Sequence, residues 1–442
     1  MTAVLPIIDV NGGTGPLVSY AYSYPHKSSY SRLDPPIPLA DAWTGENQSK
    51  LALYVHIPFC EMRCGFCNLF TQSQPPSGVV REYLNTLSQE MHVVRTQLPD
   101  ARFAMFAMGG GTPTYLSPGE LDTLLNSVAT TLQMSFVDLP TSVETSPSTA
   151  TPDRLSILGD HGIERISIGV QSFVDVESQS FGRPQQHVEV LSALDAIRSF
   201  DFPILNIDLI YGSAVQSCSS WLRSLQTALK FRPEELYLYP LYVRPETGLG
   251  RTSHHAAKHR LDLYRTARDF LLVEGYEQVS MRCFRRRICS VKNQNYSCAC
   301  DGTVGLGCGA RSYTQRLHYA TRFAVTQPGV RAIVKDWIGQ THRELGLATH
   351  GIRLSDDEQR RRFAILNLLQ NTGLDSASYV ERFATSVVTD LPQLSTLLSV
   401  GWLREDSGHL LLTETGLENS DVVGPLLYSE DVCGKLREFT RL

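Results

Sequence analysis

Three cysteines fall within eight residues of a 442-residue chain: Cys60, Cys64 and Cys67, in "LYVHIPFCEMRCGFCNLF". Thiolates suit zinc and iron–sulfur clusters, but structural zinc takes four protein ligands as a rule. No fourth cysteine stands beside the C-x3-C-x2-C triad. The spacing therefore favours a [4Fe-4S] cluster with one iron left open, where a substrate or cofactor can bind.

The elements that must position this triad show as a rhythm from residue 51 onward. Short apolar runs, "LALYVHI", "FAMFAMG", "TSVETS", "RISIGVQ", "ILNIDLIYG" and "ELYLYPLYV", alternate with stretches such as "REYLNTLSQEMHVVRTQL" and "WLRSLQTALKF". The latter carry apolar residues at three- and four-residue intervals, the period of an amphipathic helix. Strand alternating with helix implies parallel pairing through right-handed crossovers. Six such units predict an α/β fold, a partial (β/α)6 TIM-like barrel, with an open doubly wound sheet as the alternative. The triad follows the first strand, at the barrel end where active-site loops gather.

Around this barrel, residues 1–50 read as an N-terminal arm rich in Pro, Tyr and Ser, and 51–250 as the barrel itself. Residues 251–345 read as a core extension, and 346–442 as a C-terminal helical, winged-helix-like domain with a small hairpin in "LREDSGHLLLTETG". The hydrophobic fraction of 42% and charged fraction of 19% are those of a globular protein. No apolar run approaches the roughly 18–20 residues needed to cross a bilayer. The start, "MTAVLPIIDVNGGTG", lacks a basic segment followed by an apolar one, so a cytoplasmic location is expected. Ten cysteines in that setting read as reduced thiols or metal ligands. A net charge of −5 argues against bulk polyanion binding, and from residue 351 nine Lys/Arg face fourteen Asp/Glu, which makes nucleic acid an unlikely partner.

The triad and its flanks resemble the radical S-adenosylmethionine (SAM) superfamily, in its coproporphyrinogen III oxidase-like (HemN-like) branch. Tyr54 in "YVHIPFC" is similar to that branch's SAM-proximal tyrosine, and Phe66 to the aromatic between its last two cysteines. The resemblance implies that Cys60, Cys64 and Cys67 hold a [4Fe-4S] cluster and that Gly109, Gly110, Gly111 and Thr112 of "GGGTPT" receive the methionyl end of SAM. It further implies that Glu144, Gln171, Arg183 and Asp208 contact SAM, with Ile210 and Gly212 beside it. Chemically, SAM offers a carboxylate to Arg, and an amino group and ribose hydroxyls to Glu, Gln and Asp. Tyr54 is compatible with proton transfer or with packing on the cluster.

This sequence departs from the oxidase pattern at Leu69, where a further cysteine is typical, and from the haem-chaperone pattern at Asn68. On that basis the chain looks closest to oxidase-like relatives outside haem synthesis, including class C radical SAM methyltransferases. The expected function is transfer of a methyl or methylene unit from a second SAM to an sp2 carbon of a small natural product. Alternatives are oxidative decarboxylation of coproporphyrinogen III and a non-catalytic haem chaperone. The resemblance implies two SAM molecules, a small-molecule substrate and an electron donor such as flavodoxin or ferredoxin, with no membrane partner.

Weaker signals lie beyond the barrel. Cys283, Cys289, Cys298, Cys300 and Cys308 fit either a second cluster or small buried thiols. Arg282, Arg285, Arg286, Arg287 and Lys292 form a basic run that reads as a solvated face or as a dock for an acidic partner. The His254–His255 pair reads as exposed loop histidines or as metal or haem ligands. "DGTVGLGCGARSY" reads as a glycine-rich wall of the substrate region.

Overall fold

The computed structural model describes residues 21–244, 246–251, 259–287 and 296–441. Residues 1–20 of the arm, His254, His255, Cys289 and Lys292 lie outside them. Thirteen strands form one sheet: β1 (Ser31–Pro38), β2 (Leu51–Ile57), β3 (Phe103–Gly110), β4 (Thr141–Thr145), β5 (Arg165–Gln171), β6 (Ile204–Tyr211), β7 (Glu235–Pro240), β8 (Tyr276–Gln278), β9 (Cys283–Arg286), β10 (Thr303–Leu306), β11 (Arg311–Tyr313), β12 (Leu317–Ala320) and β13 (Leu347–Arg353). The order across the sheet is β1-β13-β12-β11-β10-β2-β3-β4-β5-β6-β7-β9-β8.

Strands β2 to β7 are parallel and lie in sequence order, as the strand–helix alternation predicts. Helices α1 (Val79–Gln97), α2 (Pro118–Leu132), α3 (Pro152–Asp160), α4 (His187–Ser199) and α5 (Cys218–Lys230) make the crossovers between them. The strands are apolar along most of their length because helices cover one face and the lumen the other. Helix starts are chemically marked: Ser117 and Glu120 form a capping box on α2, satisfying N–H groups that the first turn leaves without partners. The result is a mixed α/β partial barrel built on six parallel strands in sequence order, with further strands on both sides.

Beyond residue 250 the sheet continues where no strand was expected. β10 adds a seventh parallel strand beside β2, pairing Val304 with Leu53. β11, β12 and β13 follow antiparallel, and β9 closes the other side antiparallel to β7. The glycine-rich stretch thus contains barrel wall as well as turn.

The C-terminal region has its own core, built on α6 (Asp356–Leu368) and a three-stranded sheet of Leu374–Asp375, Leu403–Asp406 and His409–Leu412. The arm ties this region to the barrel. Ala21 and Tyr24 are buried in the C-terminal core, where the Tyr24 ring lies 4.6 Å from Tyr428 and its hydroxyl donates to Glu358. The arm then joins the large sheet as β1, antiparallel to β13.

Three residues of the basic run are paired rather than solvated, whereas Arg287 is exposed as expected of a solvated face. Arg282 is 1% exposed and pairs with Asp421 at 2.5 Å across to the C-terminal region, with Tyr242 bonded to both. Arg285 and Arg286 pair with Glu235 and Glu234. Removing one partner of such a buried pair strands the other charge. Asp421→Ala is therefore expected to lower the unfolding free energy by about 3–5 kcal/mol. The Arg282→Met/Asp421→Leu double variant should recover most of that loss, as read by urea unfolding. A loss under about 1 kcal/mol in the single variant would contradict the pairing.

Candidate functional site

The site is built from loops at the C-terminal ends of the parallel strands. The cysteine loop leaves β2 and returns at Gln72, whose N–H donates to Pro58 O at 2.6 Å. Between these points backbone contacts hold it: Gly65 N–H donates to Phe181 O at 3.0 Å and its carbonyl accepts from Leu249 N–H at 2.8 Å. A Cβ on Gly65 would stand 2.9 Å from Phe181 O and 3.3 Å from Gly182 Cα, so only glycine allows this approach. Arg63 braces the loop from inside, donating to Cys67 O and to Val325 O.

Each thiol has its own polar neighbour. Thr112 Oγ1 is 3.6 Å from Cys60 Sγ, Arg183 Nη1 is 3.5 Å from Cys64 Sγ, and Thr71 Oγ1 is 3.7 Å from Cys67 Sγ. Burial and then the Cys67 thiol push the Cys60 thiol up to about 12, and burial raises Cys64. Unaided, these thiols resist ionisation, so as thiolates they need a cationic group beside them. Among the described residues no three His, Cys, Asp or Glu side chains converge as a single metal ion would require. A cluster that takes one thiolate per iron fits this donor set better than a mononuclear ion.

The glycine run and the acid on β4 meet directly. Gly110 N–H donates to Glu144 Oε2 at 3.0 Å, and a Cβ on Gly109 would lie 2.6 Å from the Glu144 carboxyl carbon. Gly110 has φ +108° and would strike the His56 ring at 2.2 Å if it had a Cβ. Gly111 would strike Phe59 O at 2.5 Å. Thr114 and Thr145 hydroxyls, 2.7 Å apart, tie this turn to the end of β4.

His56 is a residue the sequence reading passed over, although the two-residue strand period places it on the face of Tyr54. Its Nε2 is 2.9 Å from Phe70 O, which only accepts, so this nitrogen carries the proton. Burial lowers the imidazole to about 4, leaving it neutral, and Nδ1 accepts from the Tyr54 hydroxyl at 3.1 Å. Gly65, inside the triad itself, was the other omission.

On β5 the register shifts between Gly169 and Gln171, and Gln171 takes φ +70°. This turns its amide over Gly169, where a Cβ would be 2.8 Å from Gln171 Nε2 and 3.7 Å from Arg183 Nη1. Asp208 accepts from Asn206 at 2.7 Å. Desolvation by the surrounding walls raises Asp208 to about 6 and Glu144, whose side chain is itself exposed, to about 7, with Asp208 adding a repulsion to Glu144. Phe66 meets Phe181 edge-on at 6.3 Å and packs with Ile210 in a small apolar cluster. Gly212 stands apart, its N–H bonded to Gln216 and its open side against Arg260.

The later cysteines are dispersed. Cys283 and Cys308 are buried, Cys300 is half-buried and Cys298 is exposed. Cys308 lies 3.9 Å from Thr321 Oγ1, whereas Cys298 lies 3.5 Å from Arg362. No second cluster is assembled by these four.

Comparison with known proteins agrees with this geometry. Residues 54–217 match the radical SAM superfamily, and residues 354–418 match the HemN C-terminal domain. The chain belongs to the radical SAM superfamily, in its HemN-like branch, with a [4Fe-4S] cluster and SAM as cofactors. It is 28% identical over 393 residues to the heme chaperone HemW of Bacillus subtilis, covering 85% of this chain and 98% of that one. It is 29% identical over 357 residues to an oxygen-independent coproporphyrinogen III oxidase of Cereibacter sphaeroides, 76% of each chain. The fold is that of the Escherichia coli coproporphyrinogen III oxidase HemN, with a TM-score of 0.74 at 23% identity over 87% of this chain and 92% of that one.

These relatives overturn the expected one-carbon transfer to a natural product. The chain is a radical SAM enzyme, but its relatives are oxidases and a haem chaperone. The misleading residues were Leu69, which is 48% exposed, and Asn68 beside it. As a radical SAM enzyme the chain takes a small-molecule substrate and a reductant. No helix of the described residues is long and apolar enough to cross a membrane.

Gly65→Ala is expected to displace the cysteine loop and lower iron retained after anaerobic reconstitution several-fold. Gly119→Ala, on the open side of α2 with nothing within 4 Å of the added carbon, should retain it fully. Equal iron in both would show that the loop is not held at Gly65.

Proposed function

We propose that the chain is an oxygen-independent oxidase that decarboxylates a propionate side chain of a porphyrinogen, coproporphyrinogen III being the substrate suggested by its relatives. The observation that carries this reading is the charge arrangement around the cysteine loop. Glu144 and Asp208, on β4 and β6, lie close enough for Asp208 to act on Glu144, while Lys27 of the arm lies close enough to Arg311 and Cys67 to be acted on by both. A cationic cofactor and a polycarboxylate substrate would need both kinds of charge.

Cys60, Cys64 and Cys67 would hold the cluster. Gly109, Gly110, Gly111 and Thr112 would admit SAM against the backbone, with Glu144, Gln171, Arg183 and Asp208 taking its polar groups. Tyr54 and Phe66, with Ile210 and Gly212, would shape the apolar surround. When bound, the cluster and SAM supply a 5′-deoxyadenosyl radical, the acceptor of a hydrogen atom. The substrate change balances as R–CH2–CH2–COO⁻ losing one hydrogen atom, carbon dioxide and one electron to leave R–CH=CH2. The hydrogen atom ends in 5′-deoxyadenosine and the electron passes to a one-electron acceptor. A ferredoxin or flavodoxin would serve as the reductant for SAM cleavage. The protein's part would be positioning and exclusion of water: the Tyr54–His56–Phe70 chain holds the end of the cysteine loop, and Lys27 of the arm lies near Cys67.

A second reading, a haem carrier, is favoured by the near full-length match to the Bacillus chaperone. Anaerobic incubation of reconstituted protein with SAM, reductant and coproporphyrinogen III separates the two. The oxidase reading expects carbon dioxide and a vinyl product. Intact coproporphyrinogen together with stoichiometric haem binding would replace it with the carrier reading.

SAM affinity should depend on pH through Glu144. Its carboxyl, raised to about 7, is mostly protonated at pH 6 and mostly ionised at pH 8, and only the anion attracts cationic SAM. Affinity is expected to rise from pH 6 to pH 8, by less than a fully buried carboxyl would give because Glu144 is exposed, and to flatten in Glu144→Gln. A pH-independent wild type would contradict this role.

A further inference from the structure

A cavity of about 240 Å³ lies between the arm, β12 and the C-terminal helix α7 (Glu430–Arg441), and Phe70 forms one of its walls. Phe70 is the residue whose carbonyl receives His56 where the cysteine loop ends, so the cavity adjoins the radical site. Its basic lining is Lys27, Arg32, Arg322 and His350, and no carboxylate lines it.

Lys27 is placed there by its local backbone. His26 caps the short turn Lys27–Ser29, accepting from Ser28 N–H, and the Lys27 ammonium sits 3.9 Å from the centre of the Phe323 ring. Phe323 stacks on Phe439 of the C-terminal helix, their centres 5.7 Å apart and their planes 24° apart. Among the described residues Lys27, Arg32 and Arg322 have no acidic partner. Burial and Arg311 pull the Lys27 ammonium down to about 7, and burial followed by Arg322 and Arg32 lowers His350. Lys27 is half-buried and Arg32 and Arg322 are exposed at the rim, so the cavity opens to solvent through a basic lining that meets no carboxylate of the described residues.

We propose that Lys27, Arg32 and Arg322 form a carboxylate-binding site that holds a carboxyalkyl arm of the substrate beside the cysteine loop. The identity of that acid as a porphyrinogen rests on the function proposed above, whereas the site itself does not. The size supports an arm rather than a whole ligand: pockets that enclose drug-sized molecules run from about 300 to 1,000 Å³. The aromatic walls Phe70 and Phe323 would flank the methylene groups, and the cations would take the carboxylate, a charge-assisted contact. The Phe323–Phe439 stack makes the C-terminal helix part of the site's wall.

The test is anaerobic fluorescence titration of the reconstituted full chain with coproporphyrin III, the non-reactive oxidised tetra-acid, and with its tetramethyl ester. Lys27→Met and Arg322→Gln are each expected to weaken acid binding about tenfold, to leave the ester unaffected, and Lys27→Arg should restore most of the acid affinity. Equal acid affinity in wild type and both variants would overturn the site. So would equal weakening of acid and ester, which would indicate a general disturbance, or a matching loss of SAM affinity, which would assign the cations to SAM's own carboxylate. Acid binding that depends on Lys27 without any decarboxylation would keep the site and reject the oxidase reading. Decarboxylation with acid binding indifferent to Lys27 and Arg322 would do the reverse.

Discussion

The structure depends on how the cysteine loop, which has little core of its own, is held against the barrel. Its three thiols can share one cluster only if the chain between them keeps its path. That path is fixed by backbone contact: Gly65 lies against the Phe181–Gly182 turn after β5 and the Gly248–Leu249 turn after β7. One glycine without a side chain therefore ties the loop after the first barrel strand to those after the fourth and the sixth. The parallel sheet is what brings the three turns to the same end, and the short, right-handed crossovers are what keep them there.

From that anchor the polar groups sort by charge. The strand ends that follow the glycine run carry Glu144 and Asp208, both pushed towards neutrality by desolvation. The wall contributed by the arm and by the strands after residue 300 carries Lys27, Arg311 and Arg322. The neutral His56 links these halves through Tyr54 and Phe70, without adding charge beside the thiols. The C-terminal region enters as structure as much as lid: Asp421 neutralises Arg282, and Tyr24 of the arm is buried among its side chains. The described parts of the arm, the barrel and the C-terminal region are thus tied to one another.

Much of this was legible in the residues. The six barrel strands announce themselves because parallel strands covered on both faces need continuous apolar runs, and "LALYVHI" and "ILNIDLIYG" have them. The triad was visible as chemistry at a strand end, and the glycine run and Glu144 gained their roles through the family resemblance; Gly110 meets Glu144 and Thr112 lies beside Cys60. The later strands were hidden because they are three to seven residues long and are defined by distant pairing, as Val304 with Leu53. β1 was masked by its prolines, and it pairs only towards its ends, with a register shift between Arg32 and Ile37. The basic run was misread because its acids lie far away in sequence, Asp421 being 139 positions from Arg282. The one-carbon reading leaned on single departures at Leu69 and Asn68, whereas the match over most of the chain points to the oxidases and the chaperone.

The central claim is that this site removes a hydrogen atom from a propionate of a porphyrinogen. The most direct measurement uses coproporphyrinogen III deuterated in its propionate methylene groups, with unlabelled SAM and reductant under anaerobic conditions, followed by mass analysis of 5′-deoxyadenosine. The account predicts deuterium in 5′-deoxyadenosine, accumulating in step with the vinyl product. Unlabelled 5′-deoxyadenosine with the porphyrinogen unchanged would contradict it.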